Sequence, residues 1–276
     1  MNSNTKICVL LILISMNLPL MAETKDIMVQ GRAAISGNLT LDQAKHQAIN
    51  MARSLAIEQA AGVVVNSTTL LQNSLIVSEF INTFSYGFLI EEEILGWKGD
   101  WAKAKDPNQL GIPVIEVTLR GVISLPEKSF YHNYVLKANL NKKSYISGEE
   151  VKLDVSATED LYIIVVNYTA DNKIIPIFPN AASKQNTLLR ENTLTLPGQF
   201  SNEFDLTVTT LPGHNNNTEA FVVFGFQMDG GTKSIPWTEI FPAGTDIKYS
   251  QFFNKIFQLP ITWMAQKTLI YTVVSN

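Results

Sequence analysis

Cysteine is almost absent from this chain: 276 residues hold one, Cys8. A disulfide needs two thiols, so the fold must stand without a covalent crosslink, and no thiol nucleophile follows residue 8. Arginine is scarce too, limited to Arg32, Arg53, Arg120 and Arg190. With 21 basic against 25 acidic side chains and a formal charge of −4, no dense basic face is available. That excludes counterion-releasing nucleic-acid binding and polybasic docking to a membrane. Long apolar runs are missing as well. The run at 7–18 is about a dozen residues, short of the ~20 that cross a hydrocarbon core. The later one, at 161–166, stops at Asn167.

What stands at the start is a leader pattern. Lys6 supplies a positive n-region, 7–18 an apolar h-region, and Pro19-Leu20-Met21-Ala22 ends on a small residue before Glu23. This predicts a secretory signal peptide over 1–22, cleaved after Ala22. The expected location is periplasmic or cell-surface associated, with no integral membrane segment after cleavage. Cys8, at the start of the h-region, reads as an ordinary member of it. Cleavage removes Lys6, which leaves 20 basic residues against 25 acidic and moves the charge from −4 to −5. Apolar content of 46% is ample for packed cores. The remaining length fits one large or two ordinary domains at ~100–200 residues each.

The rhythm of the chain changes near 125–133. The first half, 23–125, reads as an α+β domain in which one long helix covers an antiparallel sheet. Residues 27–35 form a strand ending in a Ser36-Gly37-Asn38 turn. Thr40 opens a helix with Gln43 three residues on, a capping-box pattern, and Gly62 closes it. Between them Leu41, Ala44, Ala48, Met51, Ala52, Leu55 and Ala56 mark one face, expected against the sheet. The alanines favour close approach to that sheet. Residues 63–68 read as extended and 70–82 as a short second helix. Two long strands follow, at 84–101 and 112–123. In the latter, Glu116, Thr118 and Arg120 alternate with Val117, Leu119 and Gly121, which predicts one wet face. Leu125-Pro126-Glu127-Lys128-Ser129 is the linker.

The second half, 133–276, reads as a mostly-β, sandwich-like domain. Strands are expected at 134–140, 151–155, 161–168, 174–178, 204–208, 220–227 and 269–274, with a short helix at 249–257. The near-continuous apolar run of 161–168 implies cover on both faces. Asp171-Asn172-Lys173 makes a hairpin turn.

Catalytic signatures are missing. There is no Gly-x-Ser-x-Gly elbow, dinucleotide fingerprint or P-loop. His46, His132 and His214 fall in a helix, the linker and a polar loop, away from zinc-ligand spacing, and read as isolated surface residues. Glu91-Glu92-Glu93 is the densest acidic run. Glu91, Glu93 and Asp160 would be the raw material for a cryptic hydrolase, but a glycosidase needs two carboxylates ~5–9.5 Å apart. A solvated strand whose charges discourage edge pairing is the plainer reading. No catalytic residue, metal or cofactor is assigned, and the chain is expected not to be an enzyme.

Trp97 and Trp101, four apart, share a strand face. Buried packing is the usual fate of such rings, and a stacking platform for sugars is the other. Phe178-Pro179-Asn180 reads as a strand end entering a fixed turn, with Pro179 setting φ and Asn180 tolerating left-handed geometry; the functional reading is a presented contact loop. Trp97, Trp101, Phe178, Pro179 and Asn180 are therefore the candidate contact residues.

Gly31-Arg32-Ala33-Ala34-Ile35, the alanine helix from Ala44 to Ala61, Gly62-Val63 and Asn66-Ser67-Thr68 resemble the N-terminal domain of flagellar assembly protein T and the LPP20-type exported lipoproteins, over about 27–124. Tyr145-Ile146-Ser147-Gly148-Glu149, Asp160-Leu161-Tyr162, Ile177-Phe178-Pro179-Asn180, Leu196-Pro197-Gly198 and Leu211-Pro212-Gly213 with Glu219 resemble an exported domain of unknown function, DUF4384, over about 133–275. The resemblance implies a periplasmic, non-enzymatic protein that builds or braces an envelope structure through protein–protein contacts. In flagellar assembly protein T the related domain belongs to a ring around the basal body. Here the later domains of that family are replaced, so the expected role is general assembly or adaptor work with envelope protein partners. The alternative is a glycan-binding module.

Overall fold

The computed structural model describes residues 23–36, 39–62, 87–102, 111–125, 135–198, 203–228, 236–259 and 261–276. The leader, the strand expected at 63–68, the helix expected at 70–82, most of the linker and His132 lie outside the described residues.

The first half is built on helix α1 (Leu41–Ala61), whose bounds are those the sequence predicts. Thr40 Oγ1 accepts from Gln43 N at 3.2 Å while Gln43 Oε1 accepts from Thr40 N at 2.9 Å, so both arms of the capping box are made. Gly62 ends the helix at φ 71°, a left-handed conformation that favours glycine. Beneath it lies an antiparallel sheet in the order β1-β3-β2, from β1 (Thr24–Ala34), β3 (Ile112–Ser124) and β2 (Phe88–Ala102).

Close approach of helix to sheet is achieved with small residues. Ala44, Ala48, Ala52, Ala56 and Ala60 have no exposed surface. Opposite them Gly31 has no side chain, and a Cβ built there would fall 2.0 Å from the Ala48 carbonyl oxygen. The buried face differs from the predicted one: it also takes in Asn50, Arg53, Ser54, Ile57, Glu58 and Ala60. Met51 and Leu55 of the predicted face sit half-buried on its flank and Leu41 is exposed. The far face of the sheet carries charge in register: Arg120 lies between Asp26 and Glu93, and Arg32 between Glu116 and Asp100. This is the expected wet face.

The second half is mostly β. Among the described residues its main sheet runs β14-β9-β8-β13-β15-β5, with β10 paired to β8. The strands are β5 (Ser144–Ile146), β8 (Leu161–Tyr168), β9 (Lys173–Phe178), β10 (Thr187–Leu188), β13 (Asn216–Met228), β14 (Ile247–Lys248) and β15 (Ile261–Val274). A second layer, β11-β7-β4, comes from β4 (Leu136–Leu140), β7 (Leu153–Ala157) and β11 (Thr193–Leu196). A two-stranded piece pairs β6 (Glu149–Glu150) with β12 (Thr207–Val208), the short remnant of the strand expected at 204–208. Strands β13 and β15 are longer than the sequence pattern predicts because they pair with each other almost end to end.

β8 is covered on both sides, as its apolar run requires. Ile163 and Val165 enter the core shared with the second layer, whereas Ile164, Val166 and Tyr168 enter the core on the opposite face. That opposite core is continuous with the alanine stripe of α1. Helices α2 (Trp237–Ile240) and α3 (Tyr249–Phe257) fill it. In α3, Tyr249, Phe252, Phe253 and Ile256 recur at helical spacing and are buried. Phe252 meets Phe224 of β13 at 5.6 Å between centroids, and Phe253 meets Phe88 of β2 at 6.4 Å. One short helix therefore touches both halves.

Candidate functional site

The densest polar constellation lies where α1 meets the main sheet. Arg53 is 4% exposed, and its guanidinium grips Glu92 through Nε to Oε2 at 2.7 Å and Nη2 to Oε1 at 2.8 Å. The planar fork suits a carboxylate gripped by two parallel donations. Nη1 also donates to the Tyr168 hydroxyl at 3.1 Å, and the guanidinium stacks 4.3 Å from the Tyr249 ring centroid. Tyr168 Oη lies 3.1 Å from Asn50 Oδ1 and 3.0 Å from Asn172 Oδ1. Asn172, in the left-handed hairpin turn at φ 64°, directs its amide nitrogen to His46 Nδ1 at 3.2 Å and to the His46 carbonyl at 3.3 Å.

His46 is thus a junction residue rather than the isolated surface histidine expected. Burial lowers its pKa from the ordinary value, against the opposing pull of Asp171 and Asp42. A small polar pocket of about 50 Å³ opens beside it, lined among others by Gln43, Gln47, Asn50 and Thr169. Every named member of this network is engaged by another, an arrangement suited to locking α1 onto the sheet.

The acidic run divides by role. Glu92 faces the helix side and pairs with Arg53, while Glu93 lies 3.7 Å from Arg120 on the wet face. Asp160, the third carboxylate weighed for hydrolysis, accepts from the Arg190 backbone N–H at 2.8 Å and shapes a turn. These groups do not converge.

The candidate contact residues separate into two sets. Trp97 is 40% exposed and Trp101 65% exposed. They oppose Val117 and Pro113 on the helix-facing side of β2, with no register shift between them. The Lys45 ammonium sits 5.9 Å from the Trp97 ring. Ile94 and Leu95, each 45% exposed, precede them on the same strand. By contrast Trp237 is buried and stacked on Phe226 at 5.8 Å, the packing fate expected of such rings.

Phe178, Pro179 and Asn180 are placed inside. All three are buried, which suits the turn reading and not a presented loop. Asn180 is also not in the left-handed region. Its side chain does the work instead, accepting from Ala182 N and Ser183 N at 3.1 and 3.0 Å and donating to the Ile177 carbonyl.

On the opposite face of the main sheet Glu219 is buried, with the Tyr271 hydroxyl 2.8 Å and Asn167 Nδ2 3.0 Å from Oε2. Burial, then the Glu219 charge, push the Tyr271 phenol well above its ordinary pKa. Tyr145 meets the Tyr271 ring edge-on at 5.8 Å. The turn before Glu149 has Gly148 at φ 91°, and Gly213 at φ 78° follows Pro212 in the 211–214 turn. These local motifs are thus two turns plus a tyrosine–glutamate pair.

Residues 144–218 match the model of a family described as Domain of unknown function (DUF4384), in line with the resemblance carried by Tyr145, Gly148 and Asn180. No curated protein matches the chain.

Sequence reasoning missed the Arg53 network. Glu92 and Tyr168 lie 39 and 115 positions from Arg53, and no periodicity links them. The one signal available was an arginine, of only four in the chain, set in the middle of an alanine-rich helix.

Proposed function

We propose that this chain is an exported, non-enzymatic envelope protein that acts as an assembly or adaptor component through protein–protein contacts. The observation that carries this reading is the pair of exposed tryptophans on β2, an edge strand of its sheet. Large aromatic rings left in water on a strand end are costly unless a partner covers them, and tryptophan is enriched where protein contacts concentrate their energy. The leader pattern and the resemblance of the first half to the flagellar assembly protein T domain support an envelope location. The buried network adds to it: Glu92 and Tyr168 are both bonded to Arg53, which favours bracing over turnover.

The second reading, a glycan-binding module, draws on the same rings. Trp97 and Trp101 lie about 13 Å apart along the strand at ~3.3 Å per residue, and each offers a flat face. Crosslinking in intact cells followed by mass spectrometry, for the wild type and the Trp97→Ala/Trp101→Ala double variant, tests the proposal. Protein crosslinks at β2 that vanish in the variant are the expected result. An unchanged crosslink pattern overturns it. Loss of cell-wall glycan binding in the variant, with protein crosslinks intact, selects the second reading.

A further inference from the structure

The main sheet has an unfinished edge. β13 pairs with β15 along nearly its whole length, but on the other side β5 pairs with β15 only at Thr272, Val273 and Val274. From 261 to 271 no described strand pairs with that outer edge. The reason is a change of layer. β4 belongs to the second layer, and the chain crosses to the main sheet through 141–143, where Lys143 O accepts from Thr272 N at 3.0 Å. Upstream of that crossing a cleft of about 570 Å³ remains between the end of β4, which packs beside β15, and β15 itself, lined by Asn139 and Leu140 of β4, Lys143 of the bend and residues 268–272 of β15. In an antiparallel pair every second residue turns its N–H and C=O away from its partner, so this stretch directs main-chain donors and acceptors at the cleft.

Charge indicates the occupant. Among the described residues Lys143 is the one charged side chain lining the cleft, and Lys137 and Lys267, both exposed, extend the same sign along β4 and β15. None of the three is in a salt bridge among the described residues, although the chain as a whole is acidic. Leu140 and Leu269 are half-buried and supply apolar wall. We propose that the β15 edge at 266–271, with Asn139, Leu140 and Lys143, is a docking site for an extended peptide segment alternating apolar and acidic residues. Such a segment would occupy the position in the sheet that β5 leaves open and pair through main-chain bonds. The site is separate from Trp97 and Trp101, so it stands or falls independently of the contact reading above.

The test uses the full chain and a fluorescein-labelled peptide alternating Val and Glu, with a Val/Lys counterpart. Anisotropy measures binding, and amide hydrogen exchange locates it. Saturable binding of the Glu peptide is expected, with new protection confined to 266–271. The Lys counterpart and the exposed-site variant Lys143→Glu/Lys267→Glu should both bind about tenfold more weakly, the scale of two or three exposed ion pairs. Equal binding of the two peptides, protection elsewhere, or no binding by either would show Lys267 to be an edge-guarding charge and overturn the proposal.

Discussion

Replacing Gly31 by alanine tests the contact on which the first half is built. The added Cβ would lie 2.0 Å from Ala48 O, 2.7 Å from Ala52 N and 2.8 Å from Ala52 Cβ. Two of these obstacles are backbone and cannot rotate away. Restoring an ordinary 3.4 Å contact to the carbonyl requires α1 to retreat by about 1.4 Å (3.4 − 2.0) at the crossing. That movement loosens the close fit of five alanines that now have no exposed surface. Overpacking of a tight core typically costs ~1–3 kcal/mol, and a rigid obstacle places Gly31→Ala near the upper end, at about 3 kcal/mol. For a chain of this size ~1 kcal/mol shifts the melting temperature by about 2–4 °C, so a fall of about 6–12 °C is expected. Gly99→Ala is the control. It sits on β2 with no heavy atom within 4 Å of the added methyl, and should stay within about 0.5 kcal/mol of the wild type. Melting followed by circular dichroism decides the matter. A Gly31→Ala melt within about 1 °C of the wild type would refute the close-approach argument, as would an equal loss in Gly99→Ala.

Arg53→Ala should destabilise the chain by about 3–5 kcal/mol, because it strands a Glu92 side chain that is 15% exposed. The double change with Glu92→Ala should cost less than the two singles together, and strictly additive urea midpoints would contradict the pairing. His46 makes stability depend on pH. Its pKa is lowered below 6.5 in the fold, so the unfolded chain binds more protons as pH falls through that value. The contribution is fully present above pH 6.5 and declines as the medium acidifies toward the lowered pKa. Urea midpoints at several pH values, compared with His46→Gln, should show this slope in the wild type and a weaker one in the variant; parallel profiles would exclude His46 as the source. Tyr271→Phe removes the hydroxyl that meets buried Glu219 and should cost about 1–3 kcal/mol in chemical denaturation, whereas a neutral result would mean that Glu219 is satisfied by its remaining amide neighbours, Asn167 and Asn217.

Local rules account for the elements that were legible in the sequence. Helix α1 begins at Thr40 and ends at Gly62 because both signals act within a turn of the chain, and helix α3 shows its buried face at 249, 252, 253 and 256. The wet face of β3 follows from simple alternation. Features set by distant partners were not legible. Which face of the helix meets the sheet depends on Gly31, against Ala48 and Ala52, and on Gly121, against Ala56, both far from it in sequence. Asn180 carries a turn signal, but only the fold shows that its amide is buried and bonded on three sides. The length of β13 is decided by β15, some forty residues later, and the register shifts in β2 next to Glu91 and Gly96 leave no mark in composition.

The central strand β8 illustrates how such a sheet fixes its alignment. Six successive apolar residues, from Leu161 to Val166, could slide by one position and still present oil to both sides, so polarity offers that part of the strand little protection against misalignment. The next two residues behave as a key. Asn167 must turn toward Glu219 and Tyr271, while Tyr168 must turn the other way toward Arg53 and Asn50. A slip of one place would send each to the wrong lock, leaving a buried glutamate and a buried arginine short of a neighbour on opposite sides at once. Two polar side chains at the tip thus discriminate among alignments that the greasy stretch before them would accept.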